Sequence, residues 1–153
     1  SAPELGRRWP AHVTSTGKVL LALTHPTPPV GQLEKRTLKT IISRRDLDLE
    51  LEQVRRQGYA IASEELEVGF TALAAPVRNH FGNVVAALSI NGPSARLRPD
   101  VLRALVGPVC SAADRISRKL GATEAMLEDP TAAQKREAGT KTARKSRATA
   151  ISR

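Results

Sequence analysis

The order of apolar and polar residues along the chain predicts a helix near its start. Thr14 and Ser15 are good N-cap residues, and the apolar residues that follow them fit about three helical turns. The prolines within residues 26–29 end this helix. A short helical piece is predicted over residues 32–36, and the β-branched residues 40–42 are expected to pair briefly as a strand.

A second helix has a clearer pattern. Ser43 and Asp46 have the spacing of a capping box, with Asp in place of the usual Glu, and Gly58 is typical of a helix end. Acidic residues are concentrated early in this segment and basic residues late, as the helix dipole favours. The apolar stripe that we expect to be buried consists of Leu47, Leu51 and Val54.

Strand alternation follows the second helix. A strand is predicted over residues 59–62, then a loop rich in acidic residues over 63–69, and then a hairpin with strands over 71–78 and 84–91 and a five-residue turn. One face of the hairpin is aliphatic and bulkier: Leu73, Ala75, Val77, Val84, Ala86, Leu88 and Ile90. The opposite face is mostly small or polar: Ala72, Ala74, Val85, Ala87, Ser89 and Asn91. Spacing alone favours a solvent-facing surface there, with a ligand-binding face as the alternative.

A long helix completes the folded part. Pro99 suits the first turn of a helix over residues 100–120, and Pro108 inside it predicts a kink. Its expected buried stripe is Leu102, Leu105, Val109, Ala112, Ile116 and Leu120. We therefore expect an α/β (α+β) domain over residues 1–124, with an antiparallel sheet and flanking helices, and a disordered basic tail over residues 125–153.

The charge distribution separates that tail from the domain. The chain has 24 Lys and Arg against 15 Asp and Glu, a net charge of +9. Residues 131–153 hold seven basic and one acidic side chain, a net charge of +6, so the first 130 residues carry only +3. A single cysteine, Cys110, excludes an intrachain disulfide, and four aromatic residues are too few for a base-stacking surface. No membrane-spanning or signal segment is found, so we expect a cytoplasmic protein.

Three features of the sequence suggest candidate chemistry. Residues 14–18 fail the phosphate-loop pattern, which needs Gly and Ser or Thr where the chain has His12 and Val19. We interpret His12 as a structural histidine and the acidic residues 64–67 as a solvated turn. No acid–base pair, zinc-spaced cluster or activated nucleophile is found, so we expect neither an enzyme nor a cofactor.

Five segments, in order, resemble the effector-binding domain of IclR-family transcriptional regulators. The first two are Pro10-x-His12-x-Thr14-x-x-Gly17-Lys18-x-x-Leu21-Ala22 and Leu51-x-x-Val54-Arg55-x-x-Gly58-Tyr59-Ala60. The others are Glu64-Glu65-x-x-x-Gly69, Ala74-Ala75-Pro76-Val77-x-x-x-x-Gly82 and Ala86-Ala87-Leu88-Ser89-x-x-Gly92-Pro93-x-x-Arg96-Leu97. The resemblance covers about residues 6–121.

The resemblance implies a GAF-like domain that binds a small metabolite, often a carboxylic acid, and that mediates self-association. The ligand would lie between the loop that opens the first helix and the sheet. Carried over by position, the effector-binding residues are Ser15, Thr16, Ala62, Ala72, Ser89 and Asn91. Three of them belong to the small or polar hairpin face, which now favours the ligand-binding interpretation of that face.

The sequence departs from the family pattern at the site. Some keto-acid-binding members have an acidic residue where this chain has Ala62 and a cysteine where it has Ala72, and Asn91 replaces a frequent second serine. We therefore expect a pocket that is more apolar at one end and that takes a different or larger acid.

The resemblance also bears on the rest of the protein. The family's DNA-reading winged helix-turn-helix and the opening strands of the effector domain would precede the matched region, so we interpret the sequence as N-terminally truncated. Without those strands the sheet would expose an edge, so we expect the chain to need a partner chain or to be only marginally stable. The self-association that the resemblance implies makes the expected partner a second copy, in a homo-oligomer that is a dimer or tetramer. An alternative function is non-specific nucleic-acid binding through the basic residues 131–153.

Overall fold

The folded elements follow the local signals of the sequence closely. The computed structural model describes Gly6 and residues 8–24 and 31–128. A 3-10 turn over Ala11–Val13 leads into the first helix. The helices are α1 (Ser15–Leu23), α2 (Arg44–Gln57), α3 (Pro99–Lys119) and α4 (Glu124–Glu128), and the strands are β1 (Ala60–Ser63), β2 (Phe70–Arg78) and β3 (Val84–Pro93).

The predicted start of α1 and both predicted ends of α2 are confirmed. Thr14 is the N-cap of α1, and its Oγ1 accepts a hydrogen bond from the N–H of Gly17 at 3.0 Å. Ser43 is the N-cap of α2, and its Oγ accepts a hydrogen bond from the N–H of Asp46 at 3.0 Å. After α2, Gly58 has a φ of 80°, a left-handed conformation that favours glycine. Capping residues therefore fix where these helices start and stop.

The two elements predicted between these helices are wrong. Residues 32–36 are not helical, and residues 40–42 are not in a strand. Instead, the Oγ1 of Thr40 accepts hydrogen bonds from the N–H groups of Arg36 and Thr37, at 3.1 and 2.8 Å. A hydroxyl that bonds nearby backbone groups offers them an alternative to helix or strand pairing. The connection is therefore an ordered turn.

The sheet is antiparallel, with β2 between β1 and β3, as the predicted fold class requires. α3 covers one face, where Leu73 and Val77 pack with Leu102 and Val109. α1 covers the other face, with α2 against α1. Two aliphatic clusters, one on each side of β2, therefore form the core.

Val84 breaks the strand alternation. Arg78 pairs with Val84, but the preceding Val77 pairs with Ala86, so Val85 is an extra residue in β3. Such a β-bulge reverses which side the following residues face. Val84 is buried on the α1 side, whereas Ala86 is exposed. The prediction that Val84 belongs to the bulky face is therefore wrong, whereas Ala86, opposite Val77, stays on that face.

α3 includes Pro99 and contains Pro108, as predicted, but its buried stripe is rotated in its second half. Its buried residues are Leu102, Val109, Ala113 and Ser117. The predicted Ile116 and Leu120 are exposed instead. The small residues let the helix approach β2, where the Oγ of Ser117 accepts the N–H of Arg78 at 2.9 Å.

Part of the predicted tail is folded. Residues 125–128, which were expected to be disordered, belong to α4. The prolines of residues 26–29 and the basic residues 131–153 lie outside the described residues, so the proposals made for them stay predictions.

Candidate functional site

A cavity of about 120 Å³ lies between the start of α1 and the sheet. Its lining consists of Val13, Thr14, Ser15, Thr16, Ala62, Leu66, Phe70, Ala72, Ser89 and Asn91. All six residues predicted to bind an effector are in this set. The structure therefore brings the predicted residues together, and their binding role stays a prediction.

Strand register places the sheet residues of the cavity side by side. Ala72 of β2 pairs with Ala62 of β1 and with Asn91 of β3, so the three form one row across the sheet. Ser89 pairs with Ala74 in the next row on the same face. The methyl groups of Ala62 and Ala72 leave free volume, and the Ser89 hydroxyl and Asn91 amide can form hydrogen bonds with a ligand.

The start of α1 supplies the opposite wall. The first N–H groups of a helix have no partner within it, and they attract anions together with the helix dipole. Thr14 accepts the N–H of Gly17, whereas the N–H groups of Ser15 and Thr16 have no acceptor in the described part of the chain. This wall is therefore suited to a carboxylate.

Residues 64–69, which we call the acidic loop, supply a third wall through Leu66, and Phe70 follows it. The loop is held at its ends: the N–H of Glu64 donates to the carbonyl of Phe70 at 2.8 Å, and the carbonyl of Gly69 accepts from the N–H of Ser94 at 2.8 Å. Glu64 has a φ of 56°, which is uncommon for a residue with a side chain. The sequence showed no apolar periodicity here that could have identified Leu66 or Phe70 as lining residues.

A cluster of three charged groups, centred on the buried Lys18, joins α1, α2 and the acidic loop. The Nζ of Lys18, whose side chain is 1% exposed, donates to Glu65 at 2.7 Å, to Glu50 at 2.9 Å and to the carbonyl of Ile61 at 3.1 Å. Burial raises the pKa of Glu65, and Lys18 only partly offsets this effect. The prediction that this acidic segment is a solvated turn is therefore wrong for Glu65. Its side chain is buried because it forms an ion pair with a lysine 47 residues earlier in the chain.

The two other residues considered for chemistry, His12 and Cys110, lie in surroundings typical of structural residues. His12 is buried, with its Nε2 at 3.0 Å from the carbonyl oxygen of Glu34, which agrees with a structural histidine. Cys110 is half-buried against the α3 side of the core, and burial raises the pKa of its thiol. Within residues 8–24 and 31–128, no cluster of His, Cys, Asp or Glu could hold a metal ion. Over the same residues, no helix is both long enough and apolar enough to cross a bilayer.

The chain that forms this cavity matches a known protein family. Residues 2–118 match the family described as "Bacterial transcriptional regulator IclR C-terminal". The chain belongs to the IclR family. The resemblance inferred from the five sequence segments is therefore confirmed, and the domain is the effector-binding domain of an IclR-type regulator.

Several named relatives support the IclR assignment. The HTH-type transcriptional regulator KdgR of Escherichia coli (strain K12) is 39% identical over 122 residues, which are 76% of this chain and 46% of KdgR. The p-hydroxybenzoate hydroxylase transcriptional activator of Acinetobacter baylyi is 39% identical over 103 residues, 64% of this chain and 38% of that protein. The IclR-family chain thus spans less than half the length of these relatives.

Solved IclR-family domains have the same fold. The C-terminal domain of E. coli KdgR superposes with a TM-score of 0.67 at 38% identity, over 76% of this chain and 74% of that one. The inducer-binding domain of Acinetobacter PobR, a double mutant in complex with 3-hydroxybenzoic acid, gives a TM-score of 0.67 at 35% identity, over 74% and 69%. The antiparallel sheet with flanking helices is therefore the fold of this IclR domain.

Proposed function

We propose that the cavity at the start of α1 binds a small organic acid and that this binding is the sensory function of the domain. The observation that carries the proposal is the cavity itself. Ser15 and Thr16, whose N–H groups have no acceptor in the described part of the chain, line it together with small and polar residues of the sheet. The carboxylate would bind the helix start, and Ser89 and Asn91 would bind oxygen atoms at the other end.

The size of the cavity limits the acid. A protein cavity of about 150 Å³ holds a molecule of the size of benzene. At about 120 Å³, this cavity accepts an acid with a skeleton of similar or smaller size. The methyl groups of Ala62 and Ala72 and the side chains of Leu66 and Phe70 make part of the lining apolar. A compact acid with an apolar portion fits this lining better than a highly hydroxylated one.

DNA binding, self-association and cellular location are proposed for the complete regulator. As in a complete IclR-type protein, DNA would be bound by a winged helix-turn-helix outside this chain, self-association would involve this domain, and the protein would act in the bacterial cytoplasm. β1 and β3 are the edge strands of the sheet in the described part of the chain. Such edges are available for pairing with further strands or a second copy. Nucleic-acid binding by residues 131–153 remains the alternative.

Acid binding is tested by calorimetry and thermal shift. The panel contains benzoate, 3-hydroxybenzoate, 4-hydroxybenzoate, pyruvate and glyoxylate, with benzamide as the uncharged analogue of benzoate. Ser89→Leu fills the cavity and should abolish binding of any acid that the wild type binds. Ser111→Leu makes the same change on an exposed position of α3 and should leave affinity unchanged. Equal affinities for both variants, or equal binding of benzamide, would contradict a carboxylate site here.

A further inference from the structure

We propose that Lys18 is a positioning residue that holds the acidic loop in place as a wall of the cavity, and thereby sets effector affinity without contacting the effector. The inference deepens the proposed function, since it concerns the same cavity. It rests on where the buried Lys18 lies and on which elements its three contacts join.

Lys18 lies one helical turn after Ser15, which lines the cavity. Its Nζ reaches three separate elements: Glu50 in α2, the carbonyl of Ile61 in β1, and Glu65 in the acidic loop. Ile61 directly precedes Ala62, a residue of the cavity lining. One ammonium group therefore ties the helix, the edge strand and the loop that together surround the cavity.

The contact with Glu65 determines where the middle of the loop lies. The Nζ of Lys18 is 2.7 Å from Oε1 of Glu65, whereas Oε2 is buried and has no hydrogen-bond partner in the described part of the chain. Lys18 is therefore the charged group that holds this carboxylate in place. Leu66, the next residue, is the one that enters the cavity lining. A shift of Glu65 would move Leu66 with it.

Neighbouring contacts limit how the loop can move. The hydroxyls of Thr37 and Thr40 donate to the carbonyls of Glu64 and Glu65, each at 2.7 Å, and Lys39 forms an ion pair with Glu64. These contacts join the first two loop residues to the turn before α2. Lys18 is the contact that joins the loop to α1. Without it, we expect the loop to remain attached but to lose its fixed distance from α1.

The first measurement needs no ligand. In hydrogen–deuterium exchange, the amides of Gly69 and Phe70 report on the loop, because they donate to Glu64 and to the carbonyl of Glu67. Lys18→Met should raise their exchange rates at least about tenfold more than it raises those of the α3 amides, which report on global stability. Arg56→Met removes an exposed ion pair on α2 and serves as the matched control, with no change expected.

A double variant separates positioning from simple stability. Lys18→Met with Glu65→Gln leaves no uncompensated buried charge at residue 65, so it should recover most of the thermal stability lost by Lys18→Met alone. If Lys18 positions the loop, the amides of Gly69 and Phe70 stay fast in the double variant. If their protection returns together with stability, the proposal is overturned. The double variant also carries the test if Lys18→Met does not fold.

Affinity for 3-hydroxybenzoate, or for whichever acid of the panel binds the wild type, is the second measurement. The double variant should bind it at least about tenfold more weakly, and Arg56→Met should bind it like the wild type. An unchanged affinity in the double variant would contradict the inference. If the wild type binds none of the acids, the proposed function fails, and the exchange measurement still decides whether Lys18 positions the loop.

Discussion

Gly17 in the first turn of α1 is predicted to tolerate no side chain. A Cβ built on Gly17 would lie 2.1 Å from the carbonyl oxygen of Ala11, and 2.6 Å from both Ala11 Cα and Thr14 Oγ1. Two of these atoms are backbone atoms, which cannot rotate away. Gly17→Ala therefore requires the 3-10 turn to move by about 1 Å before an ordinary carbon–oxygen contact is reached.

The energetic balance is unfavourable. Forcing one extra methyl group into a packed region costs about 1–3 kcal/mol. Alanine has a higher helix propensity than glycine by about 1 kcal/mol, and this gain is smaller in the first turn than in a helix interior. We expect a net loss of about 1–2 kcal/mol in the free energy of unfolding for Gly17→Ala. In a domain of this size that lowers Tm by about 4–8 °C.

The assay is thermal and urea unfolding of Gly17→Ala beside Gly107→Ala. Gly107, inside α3, has no atom within 4 Å of a built Cβ. There the helix-propensity gain is offset because a residue before Pro108 is restricted, so we expect a change within about 1 kcal/mol. The displaced turn carries Val13 of the cavity lining, so Gly17→Ala should also weaken acid binding. A Tm for Gly17→Ala equal to or above that of the wild type would refute the reasoning.

Two further predictions concern the bulge and the buried carboxylate. Val84→Ser should cost about 1–3 kcal/mol, because Val84 is buried, whereas Ala86→Ser should stay within about 0.5 kcal/mol; equal losses in urea unfolding would contradict the bulge. Burial raises the pKa of Glu65 above its ordinary 4.5, and its charged neighbours are Lys18 and Glu50. The folded state therefore binds this proton more tightly than the unfolded state does. As the pH rises from about 4.5 through the raised pKa, the stability that this group contributes to the wild type is lost. Glu65→Gln lacks that contribution, so the difference in unfolding free energy between the two proteins should change across this window, and parallel stability curves would contradict it.

The sequence was informative wherever a local signal decides the structure. Ser43 and Gly58 mark the ends of α2 because capping and a left-handed φ depend on neighbouring residues only. The hairpin alternation likewise placed Ala72 and Ser89 on the cavity face, because register follows from a period of two. Family resemblance added Ser15 and Thr16, which local patterns identify only as a helix start.

The wrong predictions concern positions where residues far apart in the sequence determine the structure. The alternation of β3 fails at Val84 because a bulge is set by how the paired strands fit, which no local pattern shows. In α3, both a stripe through Ile116 and one through Ser117 have helical spacing, and close packing against β2 selects the smaller residues. Glu65 is buried because Lys18, far away in sequence, neutralises its charge.

The charged cluster also constrains how the proposed site would recognise an anion. Lys18 contacts both Glu50 and Glu65, so with all three groups ionised the cluster carries one positive and two negative charges. Its lysine is therefore no free counter-ion for an effector, and none of the residues that line the cavity is charged. In the proposed function, a carboxylate is instead held by the N–H groups of Ser15 and Thr16 and by the dipole of α1. Recognition of this kind depends on the position of the helix start relative to the sheet, and Lys18 is the buried side chain that joins the helix to the sheet and the acidic loop.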